Sequence, residues 1–211
     1  MDGVIVDTAK FHFLAWQRLA HSLSIEFTEV QNEELKGVSR VESLEKILSW
    51  GGVELDSAKK LDLMELKNAW YLEYAEQVNP AEMLPGVLDF LNELQQQNIR
   101  IGLGSSSKNA VLILEKLGIY SMFDTIIDGT KIHMSKPHPE VFQRGATELN
   151  LQPSEIVVFE DAQSGVEAAK TGGFYCIGIG DATVLSMADA VVKSMEGMTV
   201  EKMKELVASD E

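Results

Sequence analysis

The sequence predicts an α/β fold, a Rossmann-like parallel sheet covered by helices on both faces, joined to a small all-helical domain. Three observations predict it. From about Thr8 to Val78 apolar residues recur at helical spacing, as at Phe13, Trp16, Leu19 and Ala20 and again at Leu44, Ile47 and Leu48, with no strand pattern between them. From Asn79 onward short apolar runs alternate with helical stretches, the pattern of parallel strands buried on both faces. The 211 residues, 45% of them hydrophobic and 24% charged, suffice for the core of one domain plus a smaller one. Residues 1–7 and 79–211 are therefore expected to form the α/β core, and residues 8–78 the helical domain.

Within the core the elements follow in order: helix Gly86 to Gln96, strand Arg100 to Gly104, helix Asn109 to Lys116, strand Thr125 to Ile127 and helix Pro139 to Leu149. Then come strand Ile156 to Phe159, helix Gly165 to Thr171, strand Tyr175 to Gly178, a short strand Ala190 to Val192, and a last helix Val200 to Val207. A sheet of this kind presents its ligand site at the carboxyl ends of its strands. The junctions at Asp7-Thr8 and Asn79-Pro80 are the linker-like pieces.

Charge narrows the partners. Lys and Arg total 18 against 33 Asp and Glu, a formal charge of −15. Such a balance disfavours a general grip on nucleic acid or an anionic membrane, so an anionic ligand must be held locally. No apolar run approaches the roughly 18 residues of a membrane span, and no export leader is apparent. The single cysteine, Cys176, rules out a disulfide within the chain, and a reducing cytoplasm is the expected compartment. Its apolar setting, Phe174 to Ile179, points to a buried structural thiol.

The strand ends carry the chemistry. Ser105, Ser106, Ser107, Lys108 and Asn109 follow the first core strand, where hydroxyls, helix-start N–H groups and an ammonium can cradle phosphate. Plain N-capping by Ser107 or Asn109 explains the same residues. Lys136 sits in the proline-stiffened loop Ser135 to Pro139, either as a second phosphate contact or as a solvated lysine. Glu160 and Asp161 end a buried strand, and adjacent carboxylates there call for a cation or a bound proton. Mg²⁺ suits such hard oxygens; the alternative is that Asp161 caps the next helix.

In that order, an Asp-Gly turn at Asp2, serines at 105, lysine at 136 and an acidic pair at 160, the chain resembles the haloacid dehalogenase (HAD) superfamily of phosphotransferases across all four of its motifs. The stretches DTAKFHFLAW, LKGVSRVESLEKIL, KNAWY and GSSSKN make it most similar to the β-phosphoglucomutase family within that superfamily. The resemblance implies a HAD-like core with a helical cap over residues 8–78. It implies a reaction in which an aspartyl-phosphate converts β-glucose 1-phosphate to glucose 6-phosphate through the 1,6-bisphosphate.

The resemblance also implies roles. Asp2 is the general acid/base, oriented by the hinge residue Thr8, and its backbone carbonyl is a metal ligand. Glu160 and Asp161 complete the Mg²⁺ set, while Ser105 and Lys136 hold the transferring phosphoryl group. Substrate contacts fall on Ser107, Lys108 and Asn109, on the cap loop Lys36, Gly37, Val38, Ser39 and Arg40, and on His12, Trp16 and Lys67. Arg40 grips the phosphate that is not transferring. Partners are expected to be small sugar phosphates, with no nucleic acid or membrane and a monomeric chain.

One departure stands out. The first motif is Asp-x-Asp-Gly, and x falls on Met1, so the nucleophilic aspartate is expected immediately before residue 1, with the first core strand missing from the chain. A sugar phosphatase and a noncatalytic sugar-phosphate-binding protein remain as alternative readings.

Overall fold

A computed structural model describes residues 1–208. Its helical segment contains α1 (Ala9–Ser22), α2 (Glu29–Glu33), α3 (Arg40–Gly51) and α4 (Ser57–Ala75). Capping explains where these helices start and stop. Thr28 and Ser39 each form a reciprocal capping box, with Gln31 and Glu42, and Asp56 accepts from the Lys59 N–H. Gly52 closes α3 in the left-handed conformation, φ +62°. The periodic apolar positions converge as the spacing predicts: Trp16, Leu19, Leu44, Ile47 and Leu48 are buried together with Ile25, Phe27 and Leu35. Each such side chain contributes about 1.5–3 kcal/mol of burial free energy.

The α/β part contains α5 (Val87–Gln96), β1 (Gly102–Gly104), α6 (Ala110–Lys116), β2 (Thr125–Ile127), α7 (Glu140–Leu149), β3 (Val157–Glu160), α8 (Gln163–Thr171), β4 (Tyr175–Ile179), β5 (Ala190–Val192) and α9 (Val200–Ala208). All strand pairs are parallel, in register Leu103 with Ile126, Val158 with Cys176, and Gly178 with Val191. One face is covered by α5, α6 and α9, where Phe90, Ile113, Ile177 and Val200 are buried. The other is covered by α7 and α8 around Val158, Val166, Phe174 and Cys176. Burial pushes the Cys176 thiol up to about 12, as befits a structural cysteine.

The single sheet expected from the sequence is split in two, order β1-β2 and order β3-β4-β5. Ile101 and Ser105 turn their amide groups to the β2 side, through Asp124 and the Ile127 carbonyl. By alternation Gly102 and Gly104 turn away from it, toward β3. Between the halves runs a groove of about 300 Å³ lined by Val4, Ile5, Leu103, Val158 and Phe159. Residues 1–7 form no strand to join them. The Met1 carbonyl instead accepts from the N–H groups of Val4, Ile5 and Val6, so the segment is wound into a turn.

The ends of α1 and α4 nearest the junctions do not stand apart from the core. Phe11, Ala15, Tyr71, Ala75 and Val78 are buried in the same cluster as Phe90 and Ile113. The helical segment thereby lies over the carboxyl ends of β1 and β3.

Candidate active site

The site grows from those two strand ends. Beyond β1 the chain turns through Ser105, whose N–H donates to the Ile127 carbonyl at 2.9 Å. Its Oγ accepts from Ser107 N–H at 3.2 Å, and Ser107 Oγ accepts from Asn109 N–H at 3.2 Å. The loop is thus shaped by its own hydroxyls. Asn109 opens α6 without capping it through its side chain, and Asp161 does not cap α8, which begins after Ala162.

Lys136 is buried, not solvated, and forms an ion pair with Glu160; each side chain is about 5% exposed. Its Nζ also donates to the Gly104 carbonyl at 3.3 Å and lies 4.9 Å from the centre of the Phe142 ring. Glu160 Oε2 accepts from the N–H groups of Asp161 and Ala162 at 3.1 and 3.2 Å. Burial alone pushes Glu160 up, but Lys136 beside it, with these bonds, holds the carboxyl below its usual range. Gly165 makes room, since a Cβ there would overlap the Glu160 carboxylate.

Asp2 and Asp161 behave in the opposite way. Burial raises both, and Asp161, with Glu160 adding to the effect, is pushed up to about 7. The Thr8 hydroxyl donates to Asp2 Oδ1, fixing its orientation. Gly3 adopts φ +64° with Asp161 packed where a side chain would stand. Like charge is therefore crowded at one point, while one half of the adjacent acidic pair is neutralised by a lysine.

From the helical side, Lys67 and His12 enter as a buried pair, with Lys67 Nζ 2.7 Å from His12 Nδ1. The direction of this bond follows the His12 tautomer and the protonation of Lys67. Burial lowers both pKa values well below the usual range, and each group has other cations nearby that add to the effect. His12 stacks on Tyr71 at 4.1 Å, and Lys67 Nζ lies 4.7 Å from the centre of a Trp16 ring.

The loop 36–40 docks on the strand ends through its backbone. Ser106 Oγ donates to the Gly37 carbonyl at 2.9 Å and Ser164 Oγ to the Lys36 carbonyl at 3.0 Å. Ser135 donates to Glu42 across the same seam. The two layers enclose a cleft of about 770 Å³, lined on one side by Asp2, Ser105, Lys136 and Asp161 and on the other by His12, Trp16, Arg40 and Lys67.

The family model described as haloacid dehalogenase-like hydrolase matches residues 1–179. The chain belongs to this family. It is 41% identical to a β-phosphoglucomutase of Bacillus subtilis over 97% of its length and 92% of the relative's. It is 31% identical to a phosphorylated carbohydrates phosphatase of Thermotoga maritima, over 96% of this chain and 95% of the other. A crystal structure of β-phosphoglucomutase from Clostridium difficile superposes with a TM-score of 0.96 at 38% identity, covering 99% of this chain and 94% of that one.

Of the residues expected in this haloacid dehalogenase-like site, those lining the cleft include Asp2, His12, Trp16, the loop 36–40, Lys67, Ser105, Ser107, Lys108, Lys136, Glu160 and Asp161. Thr8 lies behind Asp2, fully buried. Three of the expected residues have their side chains bonded within the protein. Asn109 does not line the cleft, because its side chain is drawn to Asn68 at 3.0 Å. Ser39 lines it with its hydroxyl committed to capping α3, bonded to Glu42 at 2.8 Å. The Lys36 ammonium pairs with Glu33 at 2.7 Å.

Among the described residues no three His, Cys, Asp or Glu side chains converge as a metal site, because Glu160 is turned to Lys136 and to the β3–α8 turn. The Asp2 backbone carbonyl and the Asp161 carboxylate are hard oxygen donors in a crowded acidic pocket, which fits a divalent cation that would relieve the repulsion there.

The sequence singled out neither Asn68, Ser164 nor the Ser135–Glu42 pair, and gave Ser106 no part apart from its serine run. Asn68 stands beside Lys67 in KNAWY and Ser106 within GSSSKN, so both were within the motifs, but nothing local distinguished them from their neighbours.

Proposed function

We propose that the chain is a β-phosphoglucomutase, an isomerase that interconverts β-glucose 1-phosphate and glucose 6-phosphate through the 1,6-bisphosphate. The observation that carries this reading is the presence of anion-handling groups at both ends of one cleft. Ser105 and Lys136 stand at the strand ends, and the Arg40 guanidinium stands across from them. A phosphatase needs the first end alone; a substrate phosphorylated at two positions needs both.

The residues divide the work. Asp2, raised by burial and held by the Thr8 hydroxyl, is suited to carry a proton to a leaving sugar oxygen and to take one from the attacking hydroxyl. Lys136 and Ser105 offset charge on the transferring phosphoryl group, a kind of interaction that strengthens as charge develops. Residues 8–78 act as a cap hinged at residues 7–8 and 79–80, excluding water when docked. Mg²⁺, held by Glu160, Asp161 and the Asp2 backbone carbonyl, would neutralise phosphoryl charge. The acceptor aspartate, by the spacing of the first motif, belongs immediately before Met1. Sugar phosphates are then the partners of a monomeric cytoplasmic enzyme.

The test extends the chain with an apolar strand ending in Asp directly before Met1 and supplies β-glucose 1-phosphate, Mg²⁺ and a trace of bisphosphate. Glucose 6-phosphate is the expected main product. Inorganic phosphate as the main product would replace the mutase reading with the phosphatase one.

A further inference from the structure

The guanidinium of the cleft is held by a residue that the motif spacing did not mark. Asn68, on α4, accepts at its Oδ1 from Arg40 Nη2 at 2.7 Å and from Asn109 Nδ2 at 3.0 Å. Because a guanidinium only donates, the bond to Arg40 decides which end of the Asn68 amide faces it, and Asn109 must answer with its NH₂ group. One oxygen thereby joins the arginine of the helical segment to the serine loop of the core, since Asn109 and Ser107 continue the chain of bonds back to Ser105.

The chemistry of that oxygen matters. A carboxylate in its place would accept the same two bonds and also neutralise the guanidinium. An amide orients Arg40 and leaves its positive charge for a ligand. Arg40 lies partly buried at the cleft wall, where an uncompensated charge acts on an anion with less screening than at an open surface.

We propose that Asn68 is a positioning residue: it aims Arg40 at the distal phosphate of a sugar bisphosphate without quenching its charge, and the bond shared with Asn109 makes that aim depend on docking of the helical segment. This rests on the mutase reading, in which Arg40 grips the phosphate that is not being transferred.

Calorimetric titration with β-glucose 1,6-bisphosphate tests it on the full chain, on Asn68→Ala and Asn68→Asp, and on both in an Arg40→Ala background. Asn68→Ala is expected to weaken binding about tenfold, the size of one lost bond to a charged group. Asn68→Asp is expected to weaken it at least as much, although it keeps both hydrogen bonds, and neither change should matter once Arg40 is gone. Wild-type affinity in Asn68→Asp, or an undiminished effect without Arg40, would overturn the proposal and leave Asn68 a structural bridge. Equal affinity of the parent chain and Arg40→Ala would overturn the mutase reading together with it. Should Asn68→Ala fail to fold, the isosteric Asn68→Asp carries the test alone.

Discussion

Replacing Lys136 by Met removes the cation from a pair in which both side chains are about 5% exposed. The methionine fills similar volume, so the effect is electrostatic rather than a cavity. Glu160 is left buried, with its two backbone N–H donors but without its counter-ion. Breaking a buried pair on one side costs about 3–5 kcal/mol, and the two retained bonds place this case near 3 kcal/mol. With a urea slope of about 2 kcal/mol per molar, the unfolding midpoint at neutral pH should fall by roughly 1.5 M.

The pH dependence supplies the sharper check. In the parent chain Glu160 is held below its usual value, so its contribution is present above the unfolded pKa and is lost as pH falls through the folded one. In Lys136→Met burial is opposed only by the charged N-terminus and the backbone bonds, and the carboxyl rises. The variant should therefore be most destabilised near pH 7.5 and approach the parent near about pH 4. Adding Glu160→Gln, whose carbonyl can still accept from the turn, should restore all but about 1 kcal/mol. Denaturation followed by circular dichroism would refute the reasoning if the double variant were as unstable as Lys136→Met, or if the loss were the same at both pH values.

Two further outcomes are expected. Asp161, pushed up to about 7, favours its neutral form in the fold, so its ionisation lowers stability progressively as pH rises from about 4 through 7. Asp161→Asn should then be more stable than the parent by about 2–4 kcal/mol near pH 8 and match it near pH 4, while losing any stabilisation by Mg²⁺; a less stable variant at pH 8 contradicts the crowding argument. Gly37 has φ +74° with Ser164 Oγ where a Cβ would stand, so Gly37→Ala should lift the loop from the core. Limited proteolysis within residues 35–40 should accelerate several-fold with little change in the melting of the core, and unchanged cleavage would show that the seam does not depend on this glycine.

Local pattern carried much of the architecture. The strands at Thr125–Ile127 and Ala190–Val192 match the sequence prediction at both ends, and most other core elements differ by one residue at an end. Larger shifts occur at β1, which starts two residues later than predicted, and at α8, which starts two residues earlier. The split of the sheet is of another kind. Both β1 and β3 read correctly as strands, but whether two strands are neighbours depends on what lies between them, and residues 1–7 fold back on the Met1 carbonyl.

The same division runs through the site. The residue types that handle phosphate and hard cations, with their order along the chain, follow from the sequence by itself, because strand ends and helix starts are set by neighbours a few positions away. What each side chain does with its hydrogen bonds does not. Glu160 finds Lys136 24 residues away, Arg40 finds Asn68 28 away, and Asn68 finds Asn109 41 away. Periodicity carries no information at those separations. Only the folded chain decided that Glu160 would hold a lysine, that Ser39 would cap a helix and that an unremarked asparagine would aim the arginine, because buried polar groups must take whichever partners packing brings within reach.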